Sequence, residues 1–196
     1  MICAKPCMSF EYSFTKIRAF NVSLLIFGLL VSSQGFANEA GFAKETGRQL
    51  TELPVKPDMP QLVLQDTQGR TIDIRQLRQS IVVVNFWASW CPSCVSELRV
   101  MHHTAVSLAD RDVVVLAVNV GDNVNMVNHF FEEYRPAYQV LLDEQSKTTA
   151  DWQILGLPTT YVIGPDRKIH YGAIGVLAWE SKQVMQTILT LRNQSK

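Results

Sequence analysis

Ile81-Val82-Val83-Val84-Asn85-Phe86-Trp87-Ala88-Ser89-Trp90-Cys91-Pro92-Ser93-Cys94 joins two different periodicities. Its first seven residues are nearly all β-branched or aromatic, the pattern of a strand buried on both faces. From Cys91 to Asp110 the pattern changes. Val95, Leu98, Met101, Ala105 and Leu108 recur at spacings of three and four, which predicts a helix. Pro92 suits its first turn, where a missing N–H leaves no bond unmade. The two cysteines therefore sit where a buried strand hands over to a helix.

Outward from this junction the alternation continues. Val113–Val120 reads as a second buried strand. Residues 123–134 read as a helix stopped before Pro136, and 138–142 as a short strand. Residues 146–152 read as a short helix leading to Gly156-Leu157-Pro158. Residues 159–163 and 168–173 read as antiparallel strands joined across Gly164–Arg167. Residues 177–192 read as a closing helix with Val184, Ile188 and Leu191 on one face. Upstream, 61–66 and 71–74 flank Thr67-Gln68-Gly69-Arg70, a hairpin signature. Strands alternating with helices imply parallel βαβ units, and the final hairpin adds antiparallel strands. The expected class is an α/β sandwich around a mixed sheet.

The N-terminus has another character. Lys16 and Arg18 precede an apolar run at 20–31, followed by small and polar residues ending in Gly35-Phe36-Ala37. That is the order of a secretory signal peptide, expected over 1–37. The alternative, an uncleaved membrane anchor, needs about 20 apolar residues to span comfortably, more than this run supplies. A buried core helix fits less well, because the run is N-terminal and flanked by basic residues. Residues 38–57 carry Pro54 and Pro57 and read as a linker or extension, leaving 58–196 as the folded domain.

The 196 residues hold 18 basic and 18 acidic side chains, so neither nucleic acid nor another polyanion is implied as a partner. The leader takes three basic and one acidic residue with it, leaving 15 against 17 in 159 residues. It also takes Cys3 and Cys7, so Cys91 and Cys94 are the only cysteines left.

A bridge between residues three apart closes a tiny loop and constrains the unfolded chain little. A structural zinc site needs four ligands, and no second cysteine pair or repeated histidine spacing supplies them. A redox role fits better. Unpaired N–H groups at a helix start favour negative charge, and a thiolate is the nucleophilic form of cysteine. Cys91 is the expected nucleophile and Cys94 the resolving thiol one turn on. No dissolved cofactor and no metal is required.

The segment 85–94 resembles the active-site segment of the thioredoxin superfamily and, more narrowly, its exported TlpA/ResA-like branch. The resemblance runs from about Gln61 to the C-terminus. It implies a thioredoxin-like three-layer sandwich with an N-terminal β-hairpin extension. It also implies that Pro158 follows a cis bond facing the cysteines, with Leu157 offering backbone groups to an extended substrate. The alternative is an ordinary trans proline at a strand start. Trp90 and Pro92 join this expected docking surface. Glu97, three residues after Cys94, matches an acid that the branch buries near its active site, where it would hold the proton of Cys94. Otherwise it is a solvated helix glutamate. Asn85 stands where cytoplasmic thioredoxins commonly carry Asp, and Arg99 where the family usually has a helix-kinking Pro. His102 and His103 are read as solvated.

The resemblance further implies a periplasmic enzyme that reduces protein disulfides, with cytochrome c maturation as one pathway and a DsbD-type membrane donor to recharge it. An oxidase or isomerase and a non-catalytic copper-binding or redox-responsive module are the alternatives. Copper-delivery relatives usually space their cysteines one residue further apart and add a downstream His. A peroxidase lacks its usual threonine-containing context here.

Overall fold

The computed structural model describes residues 48–77 and 80–194. The expected leader and the start of the expected linker lie outside these residues. Among the described residues no helix is long and apolar enough to cross a membrane.

The centre of the molecule is β4 (Ile81–Trp87), buried at all seven positions. It runs parallel to β5 (Val113–Val120), with Ile81 opposite Val113 and Trp87 opposite Asn119. On its other side it runs antiparallel to β7 (Thr159–Ile163), with Phe86 opposite Thr159. Both its edges are paired and a core cluster covers each face, which is why the strand reads as an unbroken apolar run. Helix α1 (Pro92–Leu108) makes the crossover between β4 and β5. Helix α2 (Val124–Phe130) leads to β6 (Gln139–Asp143), parallel to β5. The short α3 (Thr148–Asp151) leads to β7, which turns back into β8 (Ile169–Ile174).

The hairpin forms as expected, from β2 (Val63–Asp66) and β3 (Thr71–Asp73). Its turn needs Gly69 at φ +77, and β2 docks on β6. With β1 (Thr51–Glu52) on β8, the eight-stranded order is β1-β8-β7-β4-β5-β6-β2-β3. Alternate residues of β4 feed two cores. Ile81, Val83 and Trp87 meet α1, Val127 of α2, and the Val184 and Ile188 face of α4 (Lys182–Thr190). Val82, Val84 and Phe86 meet Leu62, Ile74 and Trp152. These are the three layers of the sandwich.

Four segments depart from the expectation. Residues 48–59, partly read as linker, run along β8 as an edge strap, with Leu53 N–H on His170 O and Ile169 N–H on Pro57 O. Their main-chain groups cover the edge that β8 would otherwise leave unpaired. The closing helix starts at Lys182 rather than Leu177. The peptide groups of 176–178 are bonded elsewhere, and Ser181 Oγ caps the helix by accepting from Gln183 N–H at 3.1 Å. Helix α2 ends at Phe130 with Phe131 as its C-cap, its N–H bonded to Val127 O at 3.2 Å, and both rings pack on the Trp87 ring, at 5.1 and 5.7 Å. Finally, His102 is half-buried, and its Nδ1 accepts from Ala137 N–H at 3.0 Å.

Leu98 is wholly buried where α1 meets the sheet. Leu98→Ala is expected to cost about 3 kcal/mol, the usual range for emptying such a site, measured by urea unfolding at pH 7.

Candidate active site

Cys91 is the N-cap of α1, and Pro92 is its first residue. Cys91 Sγ accepts from Cys94 N–H at 3.3 Å and lies 3.4 Å from Ser93 Oγ. The two cysteines are joined as a disulfide, with Cα atoms 5.3 Å apart. Cys91 retains 6% exposure and Cys94 none. Cys91 thus keeps the little exposure the pair has, at a helix start, where free N–H groups favour a thiolate. The other stands behind it, closed off from solvent.

Glu97 shares the buried face of α1 with Cys94, Leu98 and Met101. It is 2% exposed, so it is not a solvated helix residue. Its Oε1 accepts from Leu177 N–H at 2.8 Å and from Trp179 Nε1–H at 2.6 Å. Its Oε2 faces Asn85 Nδ2 at 3.5 Å, and that amide also donates to Thr160 Oγ1 at 3.0 Å. Burial pushes the Glu97 carboxyl up to about 7, against the opposing pull of its three donors. Asn85 Oδ1 has no hydrogen-bond partner among the described residues. Leu177 and Trp179 come from 80 and 82 residues away, and no local signal in the sequence marks them.

The approach to Cys91 is braced from β5. Asp122 is buried, and its carboxylate accepts from Ser89 N–H at 2.8 Å, Ser89 Oγ–H at 3.0 Å and Asn119 Nδ2–H at 2.7 Å. Three bonds to one carboxylate fix the turn between β4 and Cys91. Trp90, next in that turn, is 68% exposed, and Pro92 is exposed. Trp87 by contrast is fully buried.

Leu157–Pro158 is a cis peptide. Because Thr159 pairs with Phe86, the dipeptide lies at the end of β4 from which the cysteine turn departs. Pro158 is buried and its carbonyl accepts from Gly175 N–H at 2.8 Å, while Leu157 is half-buried. Ile174 is half-exposed, and Leu155, at 85%, is the most open large apolar side chain among the described residues. With Trp90 they leave apolar surface at this end of the sheet. Trp90, Cys91, Pro92, Cys94, Glu97, Leu157 and Pro158 thus lie at the C-terminal end of β4, just before β7 and in the first turns of α1. The structure adds Asp122, Leu177 and Trp179.

The raised carboxyl of Glu97 has a consequence for stability. Between its ordinary value of 4.5 and about 7, the folded protein holds a proton that the unfolded chain has released. Stability from this group is complete below pH 4.5 and falls by about 3 kcal/mol as pH rises through 7. Glu97→Gln is expected to abolish that decline and to be the more stable protein at pH 8, measured by urea unfolding of the oxidised forms at pH 4.5 and 8.

Residues 55–172 match the AhpC/TSA family. Thiol-disulfide oxidoreductase ResA of Bacillus subtilis (strain 168) is 33% identical over 112 residues, which cover 57% of this chain and 63% of that protein. Thiol-disulfide oxidoreductase ResA of Geobacillus thermodenitrificans (strain NG80-2) is 29% identical over 161 residues, 82% of this chain and 90% of that protein. Among solved structures, a thiol:disulfide interchange protein of the thioredoxin family from Chlorobium tepidum TLS superposes with a TM-score of 0.60 at 22% identity. It covers 70% of this chain and 97% of its own, and that likeness speaks for the fold. The chain belongs to the AhpC/TSA family and is a thioredoxin-like thiol–disulfide oxidoreductase, with Cys91 and Cys94 joined as a disulfide at the start of α1.

Proposed function

We propose that this protein is an exported reductase of protein disulfides. The Cys91 thiolate attacks a substrate disulfide, forms a mixed disulfide and releases one substrate thiolate. Cys94 gives its proton to the Glu97 carboxylate and attacks Cys91 Sγ. The second substrate thiolate leaves, two electrons have passed to the substrate, and Cys91–Cys94 is the disulfide that remains. A dithiol donor of the DsbD membrane type restores the pair. The observation that carries this reading is the pairing of a slightly exposed cysteine at a helix start with a fully enclosed one a turn behind. A buried carboxyl shares that second cysteine's helix face. A base with a pKa near 7 matches proton transfer at neutral pH.

Substrate segments dock on Trp90, Pro92, Leu157 and Pro158, with Leu155 and Ile174 extending the apolar surface. Apocytochrome c, whose paired cysteines must be reduced before haem attachment, is the substrate class that the TlpA/ResA-like resemblance favours. Residues 1–37 direct export to the periplasm, and 20–31 tether the domain wherever they are not cleaved.

Two measurements test this. Cys94→Ser, reduced and added to a periplasmic extract, is expected to accumulate mixed disulfides through Cys91, seen on non-reducing gels. Their absence refutes the exchange mechanism. The reduction potential of the pair, from equilibration in thiol buffers, is expected near the thioredoxin value of about −270 mV. A value near about −120 mV reverses the direction of electron flow and makes the protein an oxidase.

A further inference from the structure

Leu177 N–H reaches Glu97 from a stretch, residues 175–181, that is neither strand nor helix. What orients it lies on its other side. Arg48 N–H donates to Val176 O at 2.7 Å, and Ala178 N–H donates to Arg48 O at 2.9 Å. Arg48 thus forms a parallel bridge with Leu177. In extended backbone, successive peptide groups point to opposite sides. With the groups on either side of Leu177 bonded outward to Arg48, the Leu177 N–H is directed inward, onto Oε1. The strap that carries Arg48 is itself anchored. Leu50 packs on the core of α1 and α4, and Thr51 and Glu52 pair with β8. The Arg48 side chain lies over Gly175, its Nε 2.9 Å from where a β-carbon there would sit.

We propose that the main chain of Arg48 is a positioning element for Glu97, holding the 176–178 stretch so that its central N–H bonds the carboxyl. The segment that joins the domain to its N-terminal region thereby takes part in setting the acid beside the redox pair. The catalytic consequence rests on the proton-holding role proposed above, and the positioning itself does not. The other groups facing this carboxyl are the Asn85 amide from β4, the Trp179 indole and, on α1 itself, Cys94. Tyr138, ahead of β6, also feels its charge and is held neutral by burial. No second charged group competes with the bond from Leu177 among the causes that move Glu97.

The test is a titration of the Glu97 carboxyl carbon by NMR in the oxidised full chain. Arg48→Pro deletes the N–H that binds Val176. It is expected to raise the midpoint by about one pH unit, the size of a weakened bond to a carboxylate, and to speed exchange of the Ala178 amide. Arg48→Ala keeps the main chain and is expected to leave both unchanged. A released Ala178 amide with an unmoved midpoint overturns the proposal. So does an Ala178 amide that stays protected in Arg48→Pro, since the bridge is then not what holds the stretch. If the midpoint moves while the pH profile of thiol exchange does not, the positioning stands and the role of Glu97 in proton transfer falls.

Discussion

The pairing of β4 on both sides governs where everything else can go. A strand bonded along its whole length to β5 and over Val82–Phe86 to β7 cannot slide, because a shift of one residue would turn its apolar set to the wrong core. Its C-terminal end is therefore a fixed point, and α1 starts from it. The parallel partner delivers Asn119 and Asp122 to the same end, and the antiparallel partner delivers Leu157 and Pro158. Segments some 30 and 70 residues away in sequence converge on the cysteines without any of them needing to be rigid alone.

The energetics of Glu97 show which effect wins at this end of the sheet. Three donors favour its charged form, and the loss of water opposes it. A net rise to about 7 means desolvation exceeds the bonds. The carboxyl is poised rather than satisfied, and its neighbourhood is otherwise neutral side chains and main chain. Asp122 contrasts with it. That side chain is equally buried, but two of its three bonds go to Ser89, so it braces the turn before Cys91. Two buried acids of similar exposure thus take different parts, one beside the chemistry and one in the scaffold.

Local pattern made the junction at 81–94 legible, because a buried strand, a helix stripe and a cysteine pair are all written in consecutive residues. The hairpin around Gly69 was legible for the same reason. The cis bond at Pro158 and the burial of Glu97 were legible only through resemblance, since a proline before a strand and a glutamate on a helix are ordinary in themselves. Two of the donors to Glu97, Leu177 and Trp179, were not legible. Leu177, Ala178 and Trp179 extend the apolar character of the closing helix, and only main-chain bonds to Arg48 and Glu97, across 130 and 80 residues, pull them out of it. Asp122 was hidden likewise, because its partners Ser89 and Asn119 meet only after β4 and β5 align.

The two ends of the sheet carry a separate consequence. Its outermost strands, β1 and β3, are two and three residues long. Each is studded with charge, Glu52 with Lys56 at 2.7 Å on one side and Asp73 with Arg75 at 2.8 Å on the other. Such edges offer too few free backbone groups, and too much charge, for another chain to zip on and propagate. The sheet can thus be approached by another polypeptide at the end that carries Cys91 without its flanks offering a template for co-aggregation.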